Sequence, residues 1–287
     1  MSTAAGEEKE ASLKRAVLFG AGRMGWAMAR GWLADLAAAG LVRLDIVEPS
    51  PGEEVVAAAG AGRIRLNGDP AQADIVILAV KPQGFSDTAP AVLDWVGPDT
   101  LVVSILAGAT LERIVTALGS PRTVRAMPNT PGAIGKGVTG YAASPACSDT
   151  DRAAAEKLLT PLGAVVGPLD EAMIDAVTAV SGSGPAYVFL LAESLEAAAL
   201  EAGLDAATAA LLARKTVAGA GALLEAGGDP AVLRKAVTSP GGTTAAALKV
   251  LMAKGGMADL MGEAVDAARR RASELSRELD LTDRGRL

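Results

Sequence analysis

The feature that most constrains this chain is Gly20-Ala21-Gly22-Arg23-Met24-Gly25, set between the apolar run Ala16–Phe19 and an amphipathic segment that follows at once. In a chain with 33 glycines a bare G-x-G-x-x-G means little. Between a strand and a helix it has a mechanical meaning. The glycines allow the tight turn, the close approach of a pyrophosphate and close helix–strand packing, and the helix N-terminus stabilises the phosphates. Gly20, Gly22, Arg23, Met24 and Gly25 are therefore candidate cofactor-binding residues, and the cofactor class is a nicotinamide dinucleotide.

The first half continues that pattern. Strand-like runs fall at Arg15–Gly20, Leu44–Glu48, Ile75–Val80, Leu101–Ile105 and Thr123–Ala126, with shorter ones near Gly137–Ala142 and Ala164–Gly167. Helical segments such as Met24–Ala38 and Leu111–Leu118 lie between most of them. Continuous apolar strands separated by helices predict a buried parallel sheet in a doubly wound, Rossmann-like α/β domain. After Gly167-Pro168 no strand run is convincing. Helices are expected at about Glu171–Val180, Gly184–Ala202, Ala206–Ala226, Pro230–Val237, Thr243–Lys254 and Gly256–Leu279, each bounded by Gly or Pro. Several are apolar nearly all round and need burial, in the domain or between subunits. The expected organisation is a tail over residues 1–12, a dinucleotide-binding domain over 13–167, and an all-α substrate-binding and dimerisation domain over 168–287.

Ligands in such sheets bind beyond the carboxyl ends of the strands. Glu48, closing the second strand, is placed to bond ribose hydroxyls and to repel a 2′-phosphate, which favours NADH. Ser50, just beyond it, and Arg63 or Arg65 are alternatives that could meet a phosphate. Asn67 joins the cofactor set, as do Val80, Lys81 and Pro82 after the third run, Ala107 after the fourth and Asn129 after the fifth. Lys81 also counts as a catalytic candidate.

The chain contains no histidine. That excludes Ser-His-Asp and Cys-His hydrolases and His-rich metal sites, and no metal is expected. Proton transfer must use a hydroxyl, Lys, a carboxylate or water. The net charge of -6 argues against nucleic acid, and Arg269-Arg270-Arg271 reads as a salt-bridged helix face. Cys147 is the only cysteine, which fits a reducing compartment. The longest clean apolar stretch, Ile75–Val80, is too short to span a bilayer. A cytoplasmic protein without a membrane partner is the expectation.

Two Gly/Ser-rich segments interrupt the helical half: Ser181-Gly182-Ser183-Gly184-Pro185 and Thr238-Ser239-Pro240-Gly241-Gly242-Thr243-Thr244. Each is expected to open a helix, where free N–H groups and the helix dipole suit a carboxylate. Simple capping is the plainer reading of either alone. Ser183, Gly184, Ser239, Gly241, Gly242, Thr243 and Thr244 are the candidate substrate-binding residues.

Together these motifs resemble the pyrroline-5-carboxylate reductase family. The likeness runs from about Ala16 to about Glu278. Its most specific part is Leu233–Leu251 around Ser239–Thr244, and Ala79–Pro82, Arg125–Pro131 and Gly182–Tyr187 match in order. The resemblance implies a Rossmann domain followed by helical domains that interlock into homodimers, commonly assembled to decamers. It implies reduction of the ring imine of 1-pyrroline-5-carboxylate to L-proline with NADPH or NADH. Backbone N–H groups of Ser239–Thr243 would hold the carboxylate, and Thr244 would donate a hydrogen bond to the ring nitrogen. Members preferring NADPH tend to offer hydroxyls or a basic residue near Glu48-Pro49-Ser50, so Glu48 tilts the expectation to NADH. A β-hydroxyacid dehydrogenase shares the plan but expects a Lys soon after the Gly-rich turn, and none follows Gly182–Tyr187 closely. A non-catalytic dinucleotide-binding regulator would have no need of the Ser239–Thr244 loop.

Overall fold

The computed structural model describes residues 13–284; the tail expected over 1–12 lies outside them. Eight strands form one sheet: β1 Lys14–Phe19, β2 Leu41–Val47, β3 Arg65–Leu66, β4 Ala73–Leu78, β5 Val96–Ser104, β6 Thr123–Met127, β7 Gly137–Ala143 and β8 Gly163–Val166. The helices are α1 Arg23–Ala34, α2 Glu53–Gly60, α3 Phe85–Leu93, α4 Leu111–Leu118, α5 Asp149–Leu159, α6 Ile174–Val177, α7 Gly184–Glu201, α8 Ala206–Glu225, α9 Pro230–Ala236, α10 Thr243–Leu251 and α11 Met257–Arg284.

The strand order is β3-β2-β1-β4-β5-β6-β7-β8, so the order reverses between β1 and β4. That is where ligands bind in doubly wound folds. Ala16 to Phe19 are buried on both faces of the sheet. Trp32, Met28 and Leu158 cover one side; Phe85, Val92, Trp95 and Ile114 cover the other. Two helical layers explain why the strands read as apolar runs and not as alternating ones.

The sheet is not wholly parallel, as the sequence suggested: β7 runs antiparallel to β6. The link between them, a short loop with a 3-10 turn at Thr130–Ile134, returns the chain directly. A parallel crossover needs a dozen or more residues. The first helix stops at Ala34, short of Ala38, because Asp35 turns extended and its carboxylate accepts from the Ala38 N–H at 2.9 Å.

The described chain divides into two compact units. One runs through Gly182 and takes back the end of α11 from Arg270; the other is Ser183–Arg269. The break comes later than Gly167 because the segment after it stays on the sheet. Ile174 is buried with Leu111 and Ala142, and a Cβ on Gly140 would stand 2.8 Å from Val177 Cγ1. Arg125, 5% exposed on β6, pairs with Glu171 at 3.0 Å and with Asp175 at 3.7 Å. Glu171 also accepts from the Leu111 N–H that opens α4, at 2.7 Å. Removing one partner of a buried ion pair typically costs about 3–5 kcal/mol. The two carboxylates here keep partial solvent contact, so Arg125→Ala should lower stability by about 2–3 kcal/mol. Urea melts that match the wild type would show the clamp to be idle.

In the second unit α7 and α8 pack as a pair. Asp205 caps α8 by accepting from the Thr208 N–H at 3.0 Å. Only Ala209 and Ala213 of α8 and no residue of α7 are buried, whereas Phe189, Leu190, Leu211 and Leu223 are about three-fifths exposed. The apolar character read from the sequence is therefore not used up inside one chain. Against the expectation from Ile75–Val80, one helical stretch among the described residues, Glu171–Glu201, is long and apolar enough to cross a membrane by length and composition. A face of this kind also suits burial against another protein chain. On α11, Arg269 pairs with Asp266 and Arg271 with Glu274 and Glu278, all exposed, as expected for a solvated face.

Candidate active site

The loop after β1 has the form a dinucleotide requires. Gly20 has φ +93°, and a Cβ there would lie 2.7 Å from the Ala79 carbonyl oxygen. A Cβ on Gly25 would lie 2.1 Å from the Gly20 carbonyl oxygen. Gly22 differs: nothing lies within 4 Å of its Cβ position. It is the N-cap of α1 and offers no side-chain cap. The start of α1 is thus uncapped, with open space at Gly22, which suits a pyrophosphate. Arg23 and Met24 occupy the first turn of that helix.

Glu48 closes the neighbouring strand. Its carboxylate accepts from the Ala21 N–H at 2.8 Å and from the Ser50 N–H at 2.9 Å. Glu53 and Glu54 begin α2 just beyond. Asn67 bonds the main chain of Glu48 in both directions. Both arginines weighed as phosphate partners have bonds elsewhere. Arg65 is turned to Asp45, at 3.0 Å, and to the Asp69 carbonyl, at 2.7 Å. Arg63 donates to the Leu33 carbonyl at 2.6 Å. Asp45 is buried and also holds Arg15 and Arg43, so it organises the local cations.

Val80, Lys81 and Pro82 follow β4 on the other side of the switch point. Lys81 is exposed and caps a 3-10 turn. Ala107 is exposed in the loop after β5, beside Gly108 at φ +75°. That loop packs on the end of α11: a Cβ on Gly108 would meet Leu279 at 3.0 Å. Asn129, after β6, spends its Oδ1 on the Val138 N–H at 2.9 Å, which ties the loop to β7.

The two Gly/Ser segments fold differently. Ser183 and Gly184 do not open a free helix. A π-helical turn, Thr178–Gly182, leads into α7, and Ser183 itself has helical angles. The hydroxyls of Thr178 and Ser181 are turned back onto the carbonyls of Ile174 and Val177. No local sequence rule signals such a turn, although π-turns recur at functional sites. The second segment does open a helix. Gly241 has φ +72°, Gly242 is the N-cap of α10, and no side chain caps it. Thr243 and Thr244 fill the first turn with uncapped N–H groups. A Cβ on Gly242 would lie 2.5 Å from Ser239 Oγ, so glycine is what lets the serine fold over the helix start. The arrangement can hold a carboxylate and present a threonine hydroxyl beside it.

Comparison with known proteins agrees with both halves. Residues 171–275 match the family model "Pyrroline-5-carboxylate reductase dimerisation", and residues 14–108 match "NADP oxidoreductase coenzyme F420-dependent". The chain is 38% identical to the pyrroline-5-carboxylate reductase of Pseudomonas aeruginosa over 93% of its own length and 99% of that protein's. It is similar to the solved pyrroline-5-carboxylate reductase of Coxiella burnetii, with TM-score 0.82, 33% identity, and coverage of 92% of this chain and 98% of that one. The Plasmodium falciparum enzyme with NADP bound superposes with TM-score 0.72 at 26% identity, over 92% and 99% of the two chains. The chain belongs to the pyrroline-5-carboxylate reductase family.

Proposed function

We infer that the protein reduces the C=N bond of 1-pyrroline-5-carboxylate to give proline, with a nicotinamide dinucleotide as the reductant. The observation that carries this reading is the presence in one chain of the Gly20–Gly25 dinucleotide loop and of the Ser239–Thr244 turn, each running into a helix start that no side chain caps. The reduced nicotinamide supplies a hydride to the imine carbon. The chain must supply the rest. The N–H groups of Thr243 and its neighbours hold the substrate carboxylate, and the Thr244 hydroxyl donates to the ring nitrogen. With no histidine present, the proton that completes the amine comes through a hydroxyl, Lys, a carboxylate or water. The first turn of α1 orients the pyrophosphate, with Val80, Lys81, Pro82 and Ala107 on the nicotinamide side.

NADH is the preferred reductant on this reading. The Glu48 carboxylate sits at the turn where a 2′-phosphate would bring further negative charge, and Glu53 and Glu54 open α2 soon after it in the chain. A second copy of the chain covers the apolar faces of α7 and α8, and the enzyme works in the cytoplasm.

Loss of absorbance at 340 nm on mixing protein, 1-pyrroline-5-carboxylate and either NADH or NADPH tests the reaction and the preference together. No oxidation with either would sink the reading. Thr244→Ala should lower kcat by about 10²-fold, the scale for losing one donor to a developing charge, while leaving Kd for NADH unchanged. Full kcat in that variant would remove Thr244 from the mechanism.

A further inference from the structure

Toward their amino ends the first strands gather cations with too few anions. Arg15 is the second residue of β1 and Arg43 the third of β2, and Arg63 and Arg65 flank Ile64 where the chain enters β3. The dinucleotide loop and Glu48 follow the opposite ends of β1 and β2. Asp45, 1% exposed, accepts from Arg15 Nη2 at 2.8 Å, from Arg43 Nε at 3.1 Å and from Arg65 Nε at 3.0 Å. Among the described residues no other acid pairs with any of the four arginines. Asp74 accepts instead from the Arg15 main-chain N–H, at 2.8 Å. Four guanidinium charges thus share one buried carboxylate.

Like charges so placed repel, and the fold holds them there. Trp95 is buried, and the guanidinium carbons of Arg15 and Arg65 each stand 5.5 Å from its ring centre. Attraction to the ring offsets part of the repulsion. A Cβ on Gly68 would lie 2.5 Å from Arg65 Nε, so the loop can close over that side chain because residue 68 lacks one. Arg63 is fixed by the Leu33 carbonyl. Arg43 is the open arm of the cluster: its side chain is 48% exposed, and among the described residues only its Nε is engaged.

The four arginines line one open groove of about 670 Å³, with Leu36 and Val42 among its apolar walls. Small-molecule sites usually measure about 300–1,000 Å³. Guanidinium groups fixed in advance lose little freedom on meeting an oxyanion, and their planar forks match a phosphate. We propose that this groove binds a small phosphate-bearing molecule, at a site separate from the dinucleotide cradle. The phosphate meets the positive charge that Asp45 leaves unbalanced, and the rest of the ligand lies against Leu36 and Val42.

The test is titration calorimetry with phenyl phosphate and with inorganic phosphate, on protein saturated with NADH so that the cradle is filled. Salt is set at about 0.15 M, where attraction between exposed charges is screened beyond about 8 Å. Phenyl phosphate should bind more tightly than inorganic phosphate, because its ring reaches the apolar wall. Arg43→Gln should weaken phenyl phosphate by about tenfold, the scale of one charged hydrogen bond. Val42→Lys adds a cation at a position 61% exposed in the same groove and should strengthen it by about two- to fivefold. Both positions are exposed, and Kd for NADH should be the same in both variants as in the wild type. No binding, equal affinity in all three proteins, or inorganic phosphate bound as tightly as the phenyl ester would each overturn the proposal. Binding seen only without NADH would place the anion in the cradle and overturn it too.

Discussion

Glutamate at both Phe189 and Leu190 should convert the protein to monomers at micromolar concentration. These side chains are 62% and 60% exposed on α7 in a single chain, within the region that matches the family's dimerisation model. Burying each would contribute about 1.5–3 kcal/mol. Replacing them forfeits that gain and forces carboxylates into a face with few partners, at a cost of several kcal/mol. In a twofold assembly every substitution acts twice, so the penalty on the dimer is doubled. Light scattering behind a sizing column reads the result. Val56→Glu, on exposed α2 of the other unit, is the control and should leave the mass unchanged. An unaltered mass in the Phe189/Leu190 variant would show that this face is not the interface. A wild-type mass of ten chains instead of two would add a further contact without changing the argument.

The sequence made the α/β half legible because its strands are buried on two sides, which leaves runs such as Ala16–Phe19 that nothing else explains. Its errors came where local patterns carry no signal. The two-residue strand β3 is too short to show a period, and the antiparallel turn of β7 depends on a loop path. Some omissions had a signal. Ser148 and Asp151 form a capping box at the start of α5, with the Asp151 N–H donating to Ser148 Oγ at 3.2 Å and the Ser148 N–H to Asp151 at 3.0 Å. At the site, the glycines and Glu48 could be found from spacing along the chain. The Arg125–Glu171 pair could not, because its partners are far apart in sequence. Nor could the π-helical turn before Ser183, which composition does not distinguish from an ordinary Gly/Ser cap.

The glycines of the cofactor loop should separate into two classes when each is replaced by alanine. At Gly25 the added Cβ would sit 2.1 Å from the Gly20 carbonyl oxygen and 3.1 Å from Ala79 Cβ. The first of these is a backbone atom, in a turn already fixed by Gly20 at φ +93°, so relief requires the loop and α1 to part. Overpacking of that kind costs about 1–3 kcal/mol, and it falls on the turn that shapes the pyrophosphate site. Gly25→Ala should therefore lower Tm by about 2–10 °C and weaken NADH by about 10–100-fold. At Gly22 the Cβ meets nothing within 4 Å, and the backbone, at φ -67° and ψ -170°, suits any residue. Gly22→Ala should leave Tm unchanged and still weaken NADH, because its methyl stands in the open space before the first N–H groups of α1. Calorimetric titration and thermal melts on the two variants check this pairing. Undiminished affinity in Gly22→Ala would mean that the open space is not where the dinucleotide lies. The cradle would then be a packing device between β1 and α1, with Gly20 and Gly25 as its strict requirements.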